Sequence, residues 1–155
     1  MNDERLREEL ARCHEDAFAW ALHCCRDRER AGDVLQAAYL KVLDGRARFS
    51  GTSSFKTWLF AVIRLTALDA WRERPFEQLP EIAVEPVEPD ERIEPLRRAL
   101  TQLAPRQREV LLLVFYHELT VEEAAHVMGI GVGSARTHYA RGKEKLKACL
   151  TTITI

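Results

Sequence analysis

Apolar residues recur every three or four positions through most of this chain, with polar residues between them. In the first such run, residues 3–25, the repeat is carried by Leu6, Leu10, Cys13, Ala17, Trp20/Ala21 and Cys24. A second run covers residues 27–43, and a third runs from residue 54 to Pro75. This spacing is that of helices with one apolar face, and no stretch alternates convincingly as a strand would. The pattern predicts an all-α protein.

The helical pattern is interrupted twice. The segment "DGRARFSGTSS", residues 44–54, contains two glycines and a Ser/Thr cluster, which predicts a loop. Residues 75–92 carry four prolines among acidic residues, which predicts a flexible acidic linker. Helical periodicity resumes near Ile93, and Pro105 suits the first turn of a further helix. We therefore expect two small helical domains, residues 1–74 and 93–150, joined by that linker.

The segment "TVEEAAHVMGIGVGSARTHYARGKEKL", residues 120–146, has the pattern of two short helices joined by a tight turn. Thr120 and Glu123 have the spacing of a capping box, in which each side chain bonds the other residue's backbone N–H. Gly129 suits the left-handed residue that ends a helix, and a second helix is expected from Val132. These features together favour a helix-turn-helix over a solvated basic helix in a generic bundle.

The second helix of this motif has two unlike sides. Four residues are expected to pack inward: Ala135, Tyr139, Gly142 and Leu146. The opposite side holds Arg136, Thr137, Ala140 and Arg141, flanked by His138, Lys143, Lys145 and Lys147. Arginines that point away from a helix core can read guanine edges in the major groove, and flanking cations can bind phosphates.

The net charge of −1 hides an uneven distribution. Residues 1–74 hold 13 basic and 12 acidic residues, 75–94 hold 1 and 7, and 95–155 hold 9 and 5. The basic C-terminal part favours a polyanionic partner. The charged N-terminus and the lack of a long apolar run predict a cytoplasmic protein. No P-loop, G-x-S-x-G or H-E-x-x-H motif is present, so we expect no enzyme, no cofactor and no small-molecule substrate.

The four cysteines are Cys13, Cys24, Cys25 and Cys149. They lack paired C-x-x-C spacing, so no metal site is expected. The favoured interpretation is that they are small hydrophobic residues in a reducing compartment. A redox or metal role together with His14 or His23 is the alternative.

The segments "AFAWALHCCRDRERAGDVLQAAYLKVLDGRARFSGTSSFKTWLFAVIRLTALDAWRER" and "LTQLAPRQREVLLLVFYHELTVEEAAHVMGIGVGSARTHYARGKEKL" together carry a family resemblance. The first resembles the region 2 domain of bacterial sigma factors of the extracytoplasmic-function (ECF) class, and the second resembles their region 4 domain. The similarity covers roughly residues 10–150, in the right order. It implies a factor that binds core RNA polymerase, recognises minus-35 and minus-10 promoter elements and melts DNA.

The resemblance also implies roles for individual residues. Asp33 and Gln36 match the family's D-x-x-Q motif for binding the polymerase clamp, although Ala37 follows where the family often has Glu. The expected minus-10 contacts are Phe49, Ser53, Ser54, Phe55, Lys56, Arg64 and Arg72. The expected minus-35 contacts are Ser134, Arg136, Thr137, His138, Arg141 and Lys143. Leu65 stands where the family commonly has Asn, and His138 where it usually has Arg.

The implied partners are the clamp and flap of core RNA polymerase, double- and single-stranded promoter DNA, and an anti-sigma factor. Two other functions remain open at this stage. A stand-alone helix-turn-helix regulator would act as a dimer on a two-fold symmetric DNA site. An adaptor would bind only protein and show no sequence preference on DNA.

Overall fold

The computed structural model describes residues 2–73 and 94–153, which fall into two compact units. Within these residues all regular structure is helical, and the all-α prediction is confirmed. None of the helices in the described part combines the length and apolar character needed to cross a bilayer. The proposed linker at 75–92 lies outside the described residues.

The first unit contains three long helices whose bounds match the sequence pattern. They are α1, Asp3–Cys25; α2, Arg28–Leu43; and α3, Phe55–Glu73. The side chain of Asn2 accepts a hydrogen bond from the Arg5 backbone N–H and so caps α1. Asp27 caps α2 in the same way. Each helix packs against the other two.

An aromatic pair lies at the centre of this bundle. The rings of Trp20 and Phe60 stack with their centroids 5.5 Å apart, and both side chains are fully buried. The Trp20 indole N–H donates to the Phe60 carbonyl oxygen at 3.1 Å, which satisfies its polar group in the core. The other large buried side chains here include Leu10, Val34, Leu35, Val42, Leu59 and Ile63. The core therefore holds α3 at a defined rotation against α1 and α2.

The second unit is built from shorter helices. They are α4, Glu94–Thr101; α5, Pro105–Leu111, continued by a π-helical turn at Leu112–Tyr116; α6, Val121–Met128; and α7, Val132–Ile153. Pro105 occupies the first turn of α5, as predicted. The core residues include Ala99, Leu103, Val110, Leu111, Leu113, Leu119, Val127 and Met128. The long α7 packs on α4, α5 and α6.

The π-helical turn is a departure from regular α-helical geometry within the helix expected to begin near Pro105. Leu113 is buried, but Phe115 and Tyr116 are 60% and 65% exposed. A wider turn rotates the residues that follow it, because it inserts one extra residue into the helical repeat. The chain then reverses at Glu118, a non-glycine residue in the left-handed conformation with φ +60°.

Candidate nucleic-acid and polymerase interfaces

The helix-turn-helix of the second unit has the local geometry that its sequence predicts. The Thr120 hydroxyl oxygen accepts from the Glu123 backbone N–H at 3.1 Å, and the Glu123 carboxylate accepts from the Thr120 backbone N–H at 3.1 Å. Gly129 ends α6 with φ +66° and ψ +33°. The capping box and the glycine turn are therefore both confirmed, and α7 begins at Val132 as expected.

Small residues let α7 approach its neighbours closely. Ala124, Ala125 and Ala135 are almost completely buried. Gly142 is also buried, and a Cβ atom there would lie 3.1 Å from Leu111 Cδ1. A side chain at residue 142 would therefore push α7 away from α5 and change the direction in which the outer face of α7 points.

The outer face of α7 carries most of the predicted minus-35 residues. Ser134, Arg136, Thr137, Arg141 and Lys143 are exposed, and His138 is half-buried. On the inner side Ala135 and Gly142 are buried, and Tyr139 and Leu146 are half-buried. The predicted division of α7 into an inner and an outer side is confirmed, with His138 and Lys143 at the two margins of the outer side.

Several of these side chains already have partners within the protein. The Arg136 guanidinium donates to the Glu122 carboxylate at 2.9 Å, and this hydrogen bond lowers the pKa of Glu122. The Thr137 hydroxyl donates to the Gly133 carbonyl oxygen at 3.0 Å. The Lys143 ammonium lies 5.1 Å from the centroid of the Tyr139 ring. Arg141, by contrast, makes no ion pair with any residue that the structure describes.

The D-x-x-Q pair lies on an open surface of α2. Asp33 and Gln36 are both exposed and lie one helical turn apart. Beside Asp33 a cavity of about 260 Å³ opens between α2 and α3, and Ala37 and Trp71 line it. Arg30 also lines this cavity, and its guanidinium lies 5.3 Å from the centroid of the Trp71 ring. This surface offers a carboxylate, an amide and apolar area to a protein partner.

Three aromatic rings meet where the 44–54 loop joins α3. The ring centroids of Phe49, Phe55 and Trp58 lie 5.4–5.6 Å from one another. Phe55 is buried, while Phe49 and Trp58 are half-buried. Stacking against a nucleic-acid base requires an accessible ring face or edge. Of the two predicted contact residues in this cluster, Phe49 has the partly accessible ring. The buried Phe55 ring packs against it.

Other predicted minus-10 residues make structural contacts. The Ser54 hydroxyl oxygen accepts from the Thr57 backbone N–H at 3.2 Å and so caps α3. The Lys56 ammonium lies 3.4 Å from the Asp16 carboxylate of α1. Ser53 stands beside them in the loop and is half-exposed. Further along α3, Arg64 is half-buried and Arg72 is exposed at the end of the helix. The loop residues are therefore gathered together, and the two arginines extend the surface along α3.

Sequence reasoning missed two exposed apolar features. Leu65 and Leu68 on α3 are 60% and 37% exposed. A helical projection of α3 would have shown Leu65 nearly opposite the buried Ile63, so a signal was present. Phe115 and Tyr116 are exposed because of the π-helical turn, and no sequence signal indicated that turn.

The cysteines differ in their surroundings. All four are free thiols. Cys25 is 3% exposed, and its burial raises the thiol pKa to about 11, which fits the expected role as a small hydrophobic residue. Cys13 is half-buried, and burial together with the neighbouring Glu9 and Asp16 carboxylates raises its pKa. Both thiols are therefore held in the protonated form at neutral pH.

Comparison with known proteins identifies both units. The family model for sigma-70 region 2 matches residues 10–75, and that for sigma-70 region 4 matches residues 93–146. The ECF RNA polymerase sigma factor SigX of Bacillus subtilis is 27% identical over 86% of this chain and 77% of its own length. RNA polymerase sigma factor CarQ of Myxococcus xanthus is 32% identical over 95% of this chain and 94% of its own length. The chain belongs to the ECF class of RNA polymerase sigma factors.

Solved structures agree with the fold of this sigma factor. The sigma factor RpoE of Bartonella quintana, solved in complex with the anti-sigma factor NepR, superposes with a TM-score of 0.78 at 23% identity, over 96% of this chain and 98% of that one. CnrH, solved with the cytosolic domain of CnrY, gives a TM-score of 0.69 at 23% identity, over 97% and 90% of the two chains. At this identity the likeness concerns the fold.

The two family matches assign the two units of the sigma factor to different sigma regions. Helices α1–α3 fall in region 2, and the helix-turn-helix of α6 and α7 falls in region 4. A stand-alone helix-turn-helix regulator is not favoured, because that alternative gives no role to a complete region 2 unit ahead of the DNA-binding motif.

Proposed function

We propose that this sigma factor binds core RNA polymerase and directs it to promoters by recognising minus-35 and minus-10 elements and melting the DNA. The observation that carries this proposal is the ordered pair of units. A region 2 unit exposes Asp33 and Gln36 on α2, and a region 4 unit exposes arginines on the second helix of a helix-turn-helix. We assign the two domains to residues 1–74 and 93–150.

In the region 4 unit, α7 is the helix that enters the major groove of the minus-35 element. Arg141 is the leading candidate for a bidentate contact to guanine, because it is exposed and has no ion-pair partner among the described residues. Lys143 lies at the edge of the face and suits a phosphate contact. Arg136 must either leave Glu122 or contact DNA with its remaining N–H groups. Ser134, Thr137 and His138 complete the surface.

In the region 2 unit, α2 is the surface for the polymerase clamp. Asp33 and Gln36 project from the same face and are exposed, so a partner helix can reach both. The cavity beside Asp33, lined by Ala37 and Trp71, would receive an apolar side chain of that partner. A polar pair bordered by apolar area is the composition expected of a protein–protein contact.

The minus-10 element is assigned to the 44–54 loop and the outer face of α3. Extracting a base from the duplex costs a few kcal/mol, and stacking on an aromatic side chain returns about 1–3 kcal/mol. Phe49 offers a partly open ring for this purpose, and Ser53 offers a hydroxyl beside it. Phe55, Ser54 and Lys56 hold the loop and α3 in place. Arg64 and Arg72 attract the adjoining phosphates.

The exposed aromatic residues of region 4 supply a second protein surface. Phe115 stacks on Tyr139 with a centroid separation of 6.0 Å, and Tyr116 is 65% exposed beside it. This apolar area meets α7 at Tyr139, whose ring centroid lies 5.1 Å from the Lys143 ammonium. We assign it to the flap of the polymerase, because aromatic residues are enriched at protein interfaces and this area adjoins the DNA-reading face.

An anti-sigma factor is the expected antagonist. Bartonella RpoE was solved with the anti-sigma factor NepR, and CnrH with the cytosolic domain of CnrY. By analogy, a partner that covers α2 or the Phe115/Tyr116 surface would block the polymerase contacts proposed above. The protein would act in the cytoplasm, with no catalytic step of its own and no cofactor.

Run-off transcription with purified core polymerase on a library of genomic promoter fragments tests the proposal. The expected result is defined transcripts that appear only when the sigma factor is added. Footprinting should show two unlike boxes protected mainly in the presence of polymerase. Protection of a single two-fold symmetric site by the protein alone would instead indicate a helix-turn-helix regulator, and no added transcripts would refute the proposal.

A further inference from the structure

An apolar strip runs along the outer face of α3. It consists of Trp58, Ala61, Leu65 and Leu68, and Arg72 stands at its end. The spacing of three and four residues places all five positions within an arc of about 80° at 100° per residue. Leu65 is the most exposed apolar residue of the strip, at 60%. Leu65 and Leu68 do not contribute to the buried core of the first unit, so packing within this unit does not explain why leucines occupy these positions.

The strip continues the surface assigned above to the minus-10 element. Its first residue, Trp58, lies 5.4 Å from the Phe49 ring, measured between centroids, at the loop that would hold the flipped base. Arg72 supplies a cation at the far end of the strip, next to the exposed Glu73. Asp69, a second acidic residue beside the strip, is 3.8 Å from the Lys41 ammonium, which offsets its charge. The α3 strip therefore combines apolar side chains with a nearby cation. Such a surface suits a nucleic acid that carries an apolar group on a base.

The edge of a base pair in the major groove carries such a group only at thymine, whose C5-methyl is apolar. We infer that Leu65 and Leu68 read thymine methyl groups in the duplex that borders the melted part of the minus-10 element. This inference rests on the proposed function, since it requires that α3 lie on promoter DNA. Within that function it makes the two leucines specificity-determining residues.

The inference predicts the size of the effect. Burial of one methyl-sized group is worth roughly a fourfold change in an equilibrium constant. Replacing thymine by deoxyuridine removes the methyl group and leaves the base-pair hydrogen bonds unchanged. Each contacted thymine that is replaced should therefore lower the extent of open-complex formation about fourfold.

The test begins with the holoenzyme on promoter duplexes randomised around the minus-10 element. Wild type should select thymine at one or two positions in the upstream duplex. On a selected promoter, deoxyuridine at those positions should give the fourfold loss, and Leu65→Asn should make thymine and deoxyuridine equivalent at one of them. Ala11→Asn, which introduces the same side chain at an exposed apolar position on α1, should leave the thymine-to-deoxyuridine ratio as in wild type.

The outcomes separate this inference from the function on which it rests. Initiation by wild type without any thymine preference, or an equal deoxyuridine effect in wild type and Leu65→Asn, would overturn the inference alone. Absence of initiation on every duplex would overturn the proposed function and the inference with it. The deoxyuridine comparison uses the wild-type protein, so its result does not depend on how a variant folds.

Discussion

The Arg136 guanidinium and the Glu122 carboxylate, 2.9 Å apart, join the outer face of α7 to α6. Both side chains are well exposed, so the pair contributes little to the stability of the unit. The pair instead affects DNA binding, because it occupies an arginine of the proposed DNA-reading face with an acidic residue of the same protein. The pair can be detected through the titration of Glu122.

We expect Arg136→Ala to raise the pKa of Glu122 towards the ordinary value of a glutamate. The side-chain hydrogen bond from Arg136 is the main cause that lowers this pKa in the folded protein. A lowered folded-state pKa means that the interaction is present at neutral pH and is lost as the pH falls through that pKa. Carboxyl-detected NMR titration measures it. Lys143→Ala, which removes a cation not bonded to Glu122, is the control. Equal midpoints in wild type and Arg136→Ala would contradict the prediction.

Arg141→Ala should weaken discrimination at the minus-35 element by about 1–3 kcal/mol if Arg141 reads a guanine. Competition between the native minus-35 sequence and single-base variants, measured with the holoenzyme, reports this loss. Lys143→Ala serves for comparison, because loss of a phosphate contact should weaken binding to all sequences alike and reduce its salt dependence. Unchanged discrimination in Arg141→Ala would remove Arg141 from the base-reading set.

Asp33→Arg should reduce binding to core polymerase while the first unit stays folded. Asp33 is exposed on α2, so reversal of its charge changes the surface and leaves the buried core intact. Retention on immobilised core enzyme measures the effect, and circular dichroism checks the helices. Glu15→Arg, a charge reversal at an exposed position on α1, is the matched control. If both variants are retained on the core enzyme to the same extent as wild type, Asp33 does not contribute to the clamp contact of α2.

Gly142→Val should destabilise the second unit by about 1–3 kcal/mol through overpacking. A Cβ atom at residue 142 would lie 3.1 Å from Leu111 Cδ1 and 3.2 Å from Gln107 Cβ, before the two methyl groups of valine are added. Gly133→Ala on the same helix meets nothing within 4 Å and should be neutral or slightly stabilising. Thermal unfolding compares the two. A melting temperature for Gly142→Val equal to that of wild type would show that α5 and α7 can separate without cost.

Glu118→Gly should stabilise the second unit. It relieves about 1 kcal/mol of steric strain in the folded state, and the extra conformational entropy of glycine in the unfolded chain offsets part of that gain. Glu118 has φ +60°, a conformation that glycine adopts without steric strain. Glu118→Ala keeps the Cβ atom and should bring no such gain, so it separates relief of strain from loss of the charge. Urea unfolding measures both variants. A gain of the same size in both would assign the effect to the side chain.

The sequence by itself determined the first three helices, the capping box and the helix-turn-helix. The α1, α2 and α3 segments begin and end within a residue or two of the limits that apolar periodicity and the Gly/Ser/Thr loop predict. Thr120, Glu123 and Gly129 adopt the predicted cap and turn because those interactions involve residues only a few positions apart. The resemblance to ECF sigma factors depended on the same local motifs, and it indicated the function.

Only the tertiary structure decided which candidate side chains are available to a partner. Phe55 is buried, Lys56 pairs with Asp16 of α1, and Arg136 pairs with Glu122 of α6, while Leu65 remains open. Each of these outcomes depends on residues distant in the sequence and on the rotation at which one helix packs against another. A repeat of three or four residues defines an apolar face, but it does not specify which neighbouring helix covers each position along that face.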